Sequence, residues 1–155
     1  MDSRLDAVVL PVVLPSVHSD SAAERALRTV GVTPLVEIVS RPADYSEVLT
    51  RYWKRGSGFV LVEHDIVPWP GALERLADCS KDYCGYYYQL SGRLGGTLGC
   101  VKFSERLLQE HPNLFLYWRG TRWDCLDGRV ALAMLSLGYE DFHVHQPPVA
   151  HLHVY

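Results

Sequence analysis

The sequence predicts an α/β fold with a parallel sheet, and three observations carry that reading. Short apolar, β-branched runs at Ala7–Val13, Leu35–Val39 and Phe59–Val62 have the pattern of strands buried on both faces. Helix-forming segments at Ala22–Val30 and Asp44–Arg55 separate them. The triplet Glu63-His64-Asp65 stands directly after the third run. A β-α-β-α-β order gives parallel strands with right-handed crossovers, and ligands of such sheets sit beyond the carboxyl ends of the strands.

Each element has its own local signal. Ser19-Asp20-Ser21 offers N-cap residues for the first helix, and Gly31 closes it. In the second helix Tyr45, Val48, Leu49 and Tyr52 recur at helical spacing, and Gly56-Ser57-Gly58 ends it. Beyond the triplet, Pro70–Cys79 reads as a short helix, Tyr83–Leu90 as an aromatic strand and Ser91–Gly99 as a Gly-rich connection. Ser104 caps a helix through His111, and Leu126–Leu137 has helical periodicity up to Gly138. The tail, Phe142–Tyr155, has two alternating segments broken by Pro147-Pro148. No repeat, linker or low-complexity tract interrupts residues 1–155, which are read as a single domain.

Composition narrows the function. With 48% hydrophobic and 21% charged residues the chain can bury a core, which excludes disorder. Against 18 acidic side chains stand 15 basic ones, so no overall positive field recruits polyanions, and a duplex-coating protein is disfavoured. The apolar stretch Ala7–Leu14 is interrupted by Pro11 and falls short of the ~20 residues that span a bilayer. The acidic start carries no signal-peptide cleavage pattern, so a cytoplasmic location is expected. Cys79, Cys84, Cys100 and Cys125 form no two-residue-spaced pair and are read as reduced thiols, although Cys79 and Cys84 could share a metal.

Three groups of residues could carry chemistry. Glu63 and Asp65 point to one side of an extended backbone, where both can face one cation or a polyhydroxyl ligand; the competing reading is a turn with Asp65 as a cap before Pro68. His143, His145, His151 and His153 lie in two alternating pairs, suited either to metal ligation or to a terminal hairpin. Asp124 and Asp127 stand near the start of the last helix, where carboxylates serve as caps or, beside a cleft, as a general base.

The order of these pieces resembles the GT-A glycosyltransferases, particularly the family-2-like group that uses nucleotide-diphosphate sugars. Phe59–Asp65 matches the strand that ends in that family's Asp-x-Asp motif, with Glu63 in place of the first acid. Asp127 precedes Gly138-Tyr139 by eleven residues, as the family's catalytic base precedes its Gly-Tyr, while Leu126 stands where the family has Glu. His151 follows Gly138 by thirteen residues, past Pro147-Pro148, in the place of the family's metal-binding histidine. The usual paired acids after the second strand are replaced by Ser40-Arg41.

The resemblance implies a GT-A-like, Rossmann-like α/β fold: a mixed, mostly parallel central sheet flanked by helices. It implies a metal-dependent, inverting transfer of a sugar from a nucleotide-diphosphate donor, with a UDP-sugar favoured, to an acceptor hydroxyl. Asp65 and His151 would hold Mn²⁺ or Mg²⁺, with Glu63, His153 and His145 as further candidate ligands. Asp127 would be the base, with Asp124 as the substitute. Pro11, Ser40, Arg41, Glu63, His64 and Asp65 would meet the donor; Trp118, Trp123 and Gly99 would meet sugar or acceptor. Arg93, Lys102, Arg119 and Arg122 form a basic set for an anionic acceptor. The short chain suggests acceptor selection by few residues, by a homo-oligomer or by a partner subunit.

Two other classes compete. A zinc-dependent hydrolase would use the histidine pairs, with Asp127 or Glu63 as base. A degenerate nucleotide- or sugar-binding module would keep the fold without turnover. A nucleotidyltransferase is disfavoured, because Pro11–Pro15 is not a Gly-rich, basic phosphate loop.

Overall fold

The computed structural model describes residues 10–90, 93–139 and 143–152. Its strands are β1 (Val12–Ser16), β2 (Leu35–Ile38), β3 (Phe59–Val62), β4 (Ile66–Val67), β5 (Tyr83–Leu90), β6 (Arg93–Phe103) and β7 (His143–His151). The helices are α1 (Ala22–Thr29), α2 (Asp44–Lys54), α3 (Ala72–Asp78), α4 (Glu105–Glu110) and α5 (Trp123–Ser136), with a 3-10 turn at Leu114–Tyr117. The strands form one sheet in the order β2-β1-β3-β6-β5-β7-β4.

That sheet is mixed, but it is not mostly parallel. Parallel pairing joins β1 to β2, β1 to β3 and β5 to β7. Antiparallel pairing joins β3 to β6, β5 to β6 and β4 to β7. The β-α-β-α-β half supplies the parallel part, and the hairpin of β5 and β6 reverses direction beside it.

Alternation along the strands divides the core into two layers. Val13, Phe59, Leu61, Val101 and Phe103 face α2, α4 and α5, packing with Trp53, Leu108, Trp118 and Val130. Their strand neighbours Val12, Leu14, Val60, Val62 and Cys100 face α1 and α3, packing with Leu27 and Leu76. The continuous apolar runs of β1 and β3 therefore report strands covered on both sides, whereas β2, expected to be buried likewise, is the edge strand of the sheet, with Leu35 and Ile38 exposed. Trp53 anchors the first layer: fully buried, it meets Phe103 and Trp118 edge-on, and its indole N–H donates to the His111 carbonyl at 2.9 Å.

Several boundaries move relative to the sequence reading. β1 extends through Pro15 to Ser16 instead of ending at Val13; its ladder with β3 stops at Val13, so Pro15, which lacks an N–H, breaks no bond there. The Gly-rich stretch expected as a connection is the body of β6, where the Tyr88 ring lies within 2.3 Å of where a Cβ of Gly96 or Gly99 would stand. The tail is one strand running through both prolines rather than two segments, because β7 pairs with β5 on one side and with the short β4 on the other. α5 begins at Trp123, which puts Asp127 in its second turn instead of at its start. No helix among the described residues is long and apolar enough to cross a membrane.

Candidate active site

The carboxyl ends of β1, β2 and β3 converge on a cleft of about 170 Å³ lined by Val17, Val39, Tyr45, Glu63, His64, Asp65 and Trp123. The segment after β3 is fixed by its backbone. Glu63 N–H donates to the Gly99 carbonyl at 2.9 Å, Ile66 N–H donates back to the Glu63 carbonyl at 3.0 Å, and the His64 carbonyl accepts from Ala23 at the start of α1. Residues 63–66 therefore make a turn. The extended backbone expected there, with both acids on one side, is not formed, and the two carboxylates find different partners.

Asp65 turns to the last strand. β4 and β7 pair Ile66 with His151, and Leu152 N–H donates to the Asp65 carbonyl at 2.8 Å. This register brings His151 Nε2 to 3.0 Å from Asp65 Oδ2. The imidazole is stacked on the Tyr88 ring, with centroids 5.1 Å apart and planes at 17°. Asp65 Oδ1 is buried and has no hydrogen-bond partner among the described residues. A desolvated carboxylate oxygen without a donor is costly unless a cation meets it.

Glu63 turns to α2, accepting from the Tyr45 hydroxyl at 2.9 Å. Burial raises its pKa to about 7, and the charges of Asp65 and Asp127 push the same way, while the Tyr45 hydrogen bond opposes them. Asp127 also raises the pKa of Tyr45 and Tyr88, after the larger effect of burial. Its side chain thus acts on the same group of residues from α5. The start of α5 is tied to the loop after β2 by Trp123 N–H donating to the Pro42 carbonyl at 2.9 Å, and the half-exposed Trp123 indole borders the cleft. Beside it, burial lowers the pKa of His64, the Asp65 carboxylate opposing, and its ring meets that of His18 at 6.3 Å.

The other sequence candidates lie elsewhere or in supporting positions. Ser40 and Arg41 follow β2 but clamp Asp44: both backbone N–H groups donate to Oδ2, at 3.0 and 2.8 Å, and the Arg41 guanidinium pairs with Oδ1. Pro11 precedes β1 and lines a separate apolar cavity at the opposite, amino end of the parallel strands. Asp124 is exposed and pairs with Arg122 at 3.3 Å. Trp118 is fully buried in the core. Gly99 is covered by Tyr88, so it makes room for that ring. His145 lies against Tyr86 and His143, away from Asp65, and His153 falls outside the described residues. Lys102 is buried, with its ammonium on the Cys79 carbonyl, which removes it from any surface basic set.

Tyr45 and Tyr88 belong to the site but were not singled out from sequence. Tyr45 falls in the periodicity of α2 and looks like a core position. Tyr88 had a signal available, since an aromatic opposite a run of glycines on a neighbouring strand fills the space they leave.

The fold has a counterpart among solved structures. The fold is similar to that of a glycosyltransferase. That neighbour is described as a glycosyltransferase involved in the glycosylation of the major capsid of PBCV-1; the likeness covers 94% of each chain, with a TM-score of 0.56 and 9% sequence identity. No protein-family model and no curated protein sequence matches the chain.

Proposed function

We propose that this protein is a metal-dependent glycosyltransferase that moves a sugar from a nucleotide-diphosphate donor, favouring a UDP-sugar, to an acceptor hydroxyl with inversion. The observation that supports it is the pairing of Asp65 with His151 beside Glu63 at the carboxyl end of β3, with the charge of Asp127 acting on Glu63 from α5, in a fold similar to that of a glycosyltransferase.

The donor set fits a divalent cation. Asp65 has an orphaned buried oxygen, and His151 Nε2 lies beside its other oxygen. Mixed oxygen and imidazole ligation suits Mn²⁺, with Mg²⁺ next. Such an ion, when bound, would stabilise the negative charge that develops on the leaving diphosphate. Asp65 and His151 would hold it, and Tyr88 keeps the imidazole in place by stacking on it. Glu63, anchored by Tyr45, is positioned to accept hydrogen bonds from donor hydroxyls in its ionised form. Asp127 would take the proton from the acceptor hydroxyl as it attacks, and single in-line displacement inverts the anomeric carbon. The cleft of about 170 Å³ accommodates one ring-sized group, less than the ~300–1,000 Å³ of most small-molecule sites. The rest of the donor would lie along the open face beside Trp123, whose indole offers a stacking surface.

The test is a thermal-shift titration of metal-stripped protein with Mn²⁺, Zn²⁺ and a panel of nucleotide diphosphates, singly and in pairs, followed by transfer assays. Stabilisation by a nucleotide only in the presence of Mn²⁺ is expected. Asp65→Ala should abolish that stabilisation, whereas Asp127→Asn should keep it and lose transfer by about 10²-fold or more. Equal loss of nucleotide binding in the two variants would sink the assignment of roles, and nucleotide binding without transfer in the parent protein would identify a binding module.

A further inference from the structure

A second cluster of ligand-type side chains lies apart from the cleft. Cys79 ends α3, and its carbonyl is held by the buried Lys102 ammonium. In the parallel ladder of β5 and β7, His143 pairs with Cys84 and His145 with Tyr86. These elements bring the Cys79 sulfur and one ring nitrogen from each histidine to within 4.8 Å of one another. The two imidazoles meet nearly at right angles, 4.8 Å between centroids, and His145 Nε2 is buried with no hydrogen-bond partner among the described residues.

We propose that Cys79, His143 and His145 bind a zinc ion that clamps the last strand to the end of α3. One thiolate with two imidazoles is a borderline-soft donor set, which favours zinc over Mg²⁺ or Mn²⁺. Zinc–ligand bonds of ~2.0–2.3 Å separate tetrahedral ligand atoms by about 3.3–3.8 Å. Side-chain rotations that close the present spacing by about 1 Å complete the site. His143 is exposed, so water reaches the fourth position. The consequence reaches toward the cleft along β7: the strand that presents His143 and His145 beside β5 goes on, past an irregularity in its pairing, to deliver His151 to Asp65. The site is independent of the transferase proposal. His145 pairs with Tyr86 of β5 and His151 with Ile66 of β4, and the two proposed sites have no residue in common, so the two ions would not share ligands.

The test uses the full chain, stripped with a chelator and reloaded with zinc or cobalt. Wild type and Asp65→Ala should each retain one zinc per chain after dialysis and show a raised Tm. Cys79→Ser and His145→Ala should bind zinc more weakly by at least the ~10–100-fold typical of losing even an outer-sphere partner. The wild-type cobalt derivative should show a thiolate-to-metal charge-transfer band, which needs no variant to fold. Cobalt bound without that band, zinc held equally well by Cys79→Ser, or zinc lost in Asp65→Ala but kept in Cys79→Ser would overturn the site. Zinc bound with no rise in Tm would overturn the clamp.

Discussion

Asp65 and Glu63 show how neighbouring residues of one type acquire different chemistry from what packs against them. Asp65 is met by an imidazole from the end of the chain, while Glu63 is met by a phenol from α2 and held near neutrality by burial. Gly99 is the silent member of the group. Its carbonyl fixes Glu63 N–H, and the Tyr88 ring that stacks on His151 occupies the space a side chain would need. Gly99→Ala should therefore destabilise the fold by about 1–3 kcal/mol, as overpacking does, and shift Tyr88 away from His151. Urea unfolding measures the first effect; a midpoint equal to wild type would show that the ring moves freely.

Elements carry these residues to one place through their ends. The β2–α2 connection turns on Asp44, which accepts from the Ser40 and Arg41 N–H groups and pairs with the Arg41 guanidinium. The two backbone donors, reinforced by Arg41, hold the Asp44 pKa down to about 2 against an ordinary 3.8. A depressed carboxylate pKa contributes stability that is complete above the unfolded value and is lost as pH falls through the folded one. Wild type should thus be more stable than Asp44→Asn at pH 7, with the gap closing between about pH 4 and pH 2. Thermal unfolding across that range checks it; a gap that stays constant down to pH 2 would remove the charge as its cause. Because Pro42, in the same loop, holds the start of α5, the variant should also loosen the Trp123 border of the cleft.

At the scale of the whole molecule the two core layers hold the sheet between helices, and the cleft opens where the parallel strands end. Trp53 joins α2 to α4, to the 3-10 region and to β6 through its ring and its N–H. Trp53→Ala should cost about 3–5 kcal/mol, in the range of buried aromatic truncations, and equilibrium denaturation gives the value directly. A loss below 1 kcal/mol would mean that the layer refills the cavity. The same variant leaves every charged group of the cleft in place, so the proposed metal-dependent nucleotide binding should persist at temperatures well below its lowered Tm.

Local patterns were sufficient for the elements whose burial is written in neighbouring residues. The buried run of β3, the aromatic β5, the Ser21 and Ser104 caps and the periodicity of α2 were legible because periodicity and capping act over a few positions. The spacing from Gly138 on to His151 singled out a residue that lies against Asp65, through a resemblance rather than through physics alone. Tertiary structure decided the rest. The glycines of β6 became a strand because Tyr88 lies over them, and the prolines of β7 were tolerated between two partners. Trp118 and Trp123 look alike in sequence, yet one fills the core and the other borders the cleft. His145 and His151 lie on one strand but face different neighbours, a cysteine after α3 and a carboxylate after β3. Such choices depend on contacts between residues far apart in the chain, whose geometry no local spacing encodes.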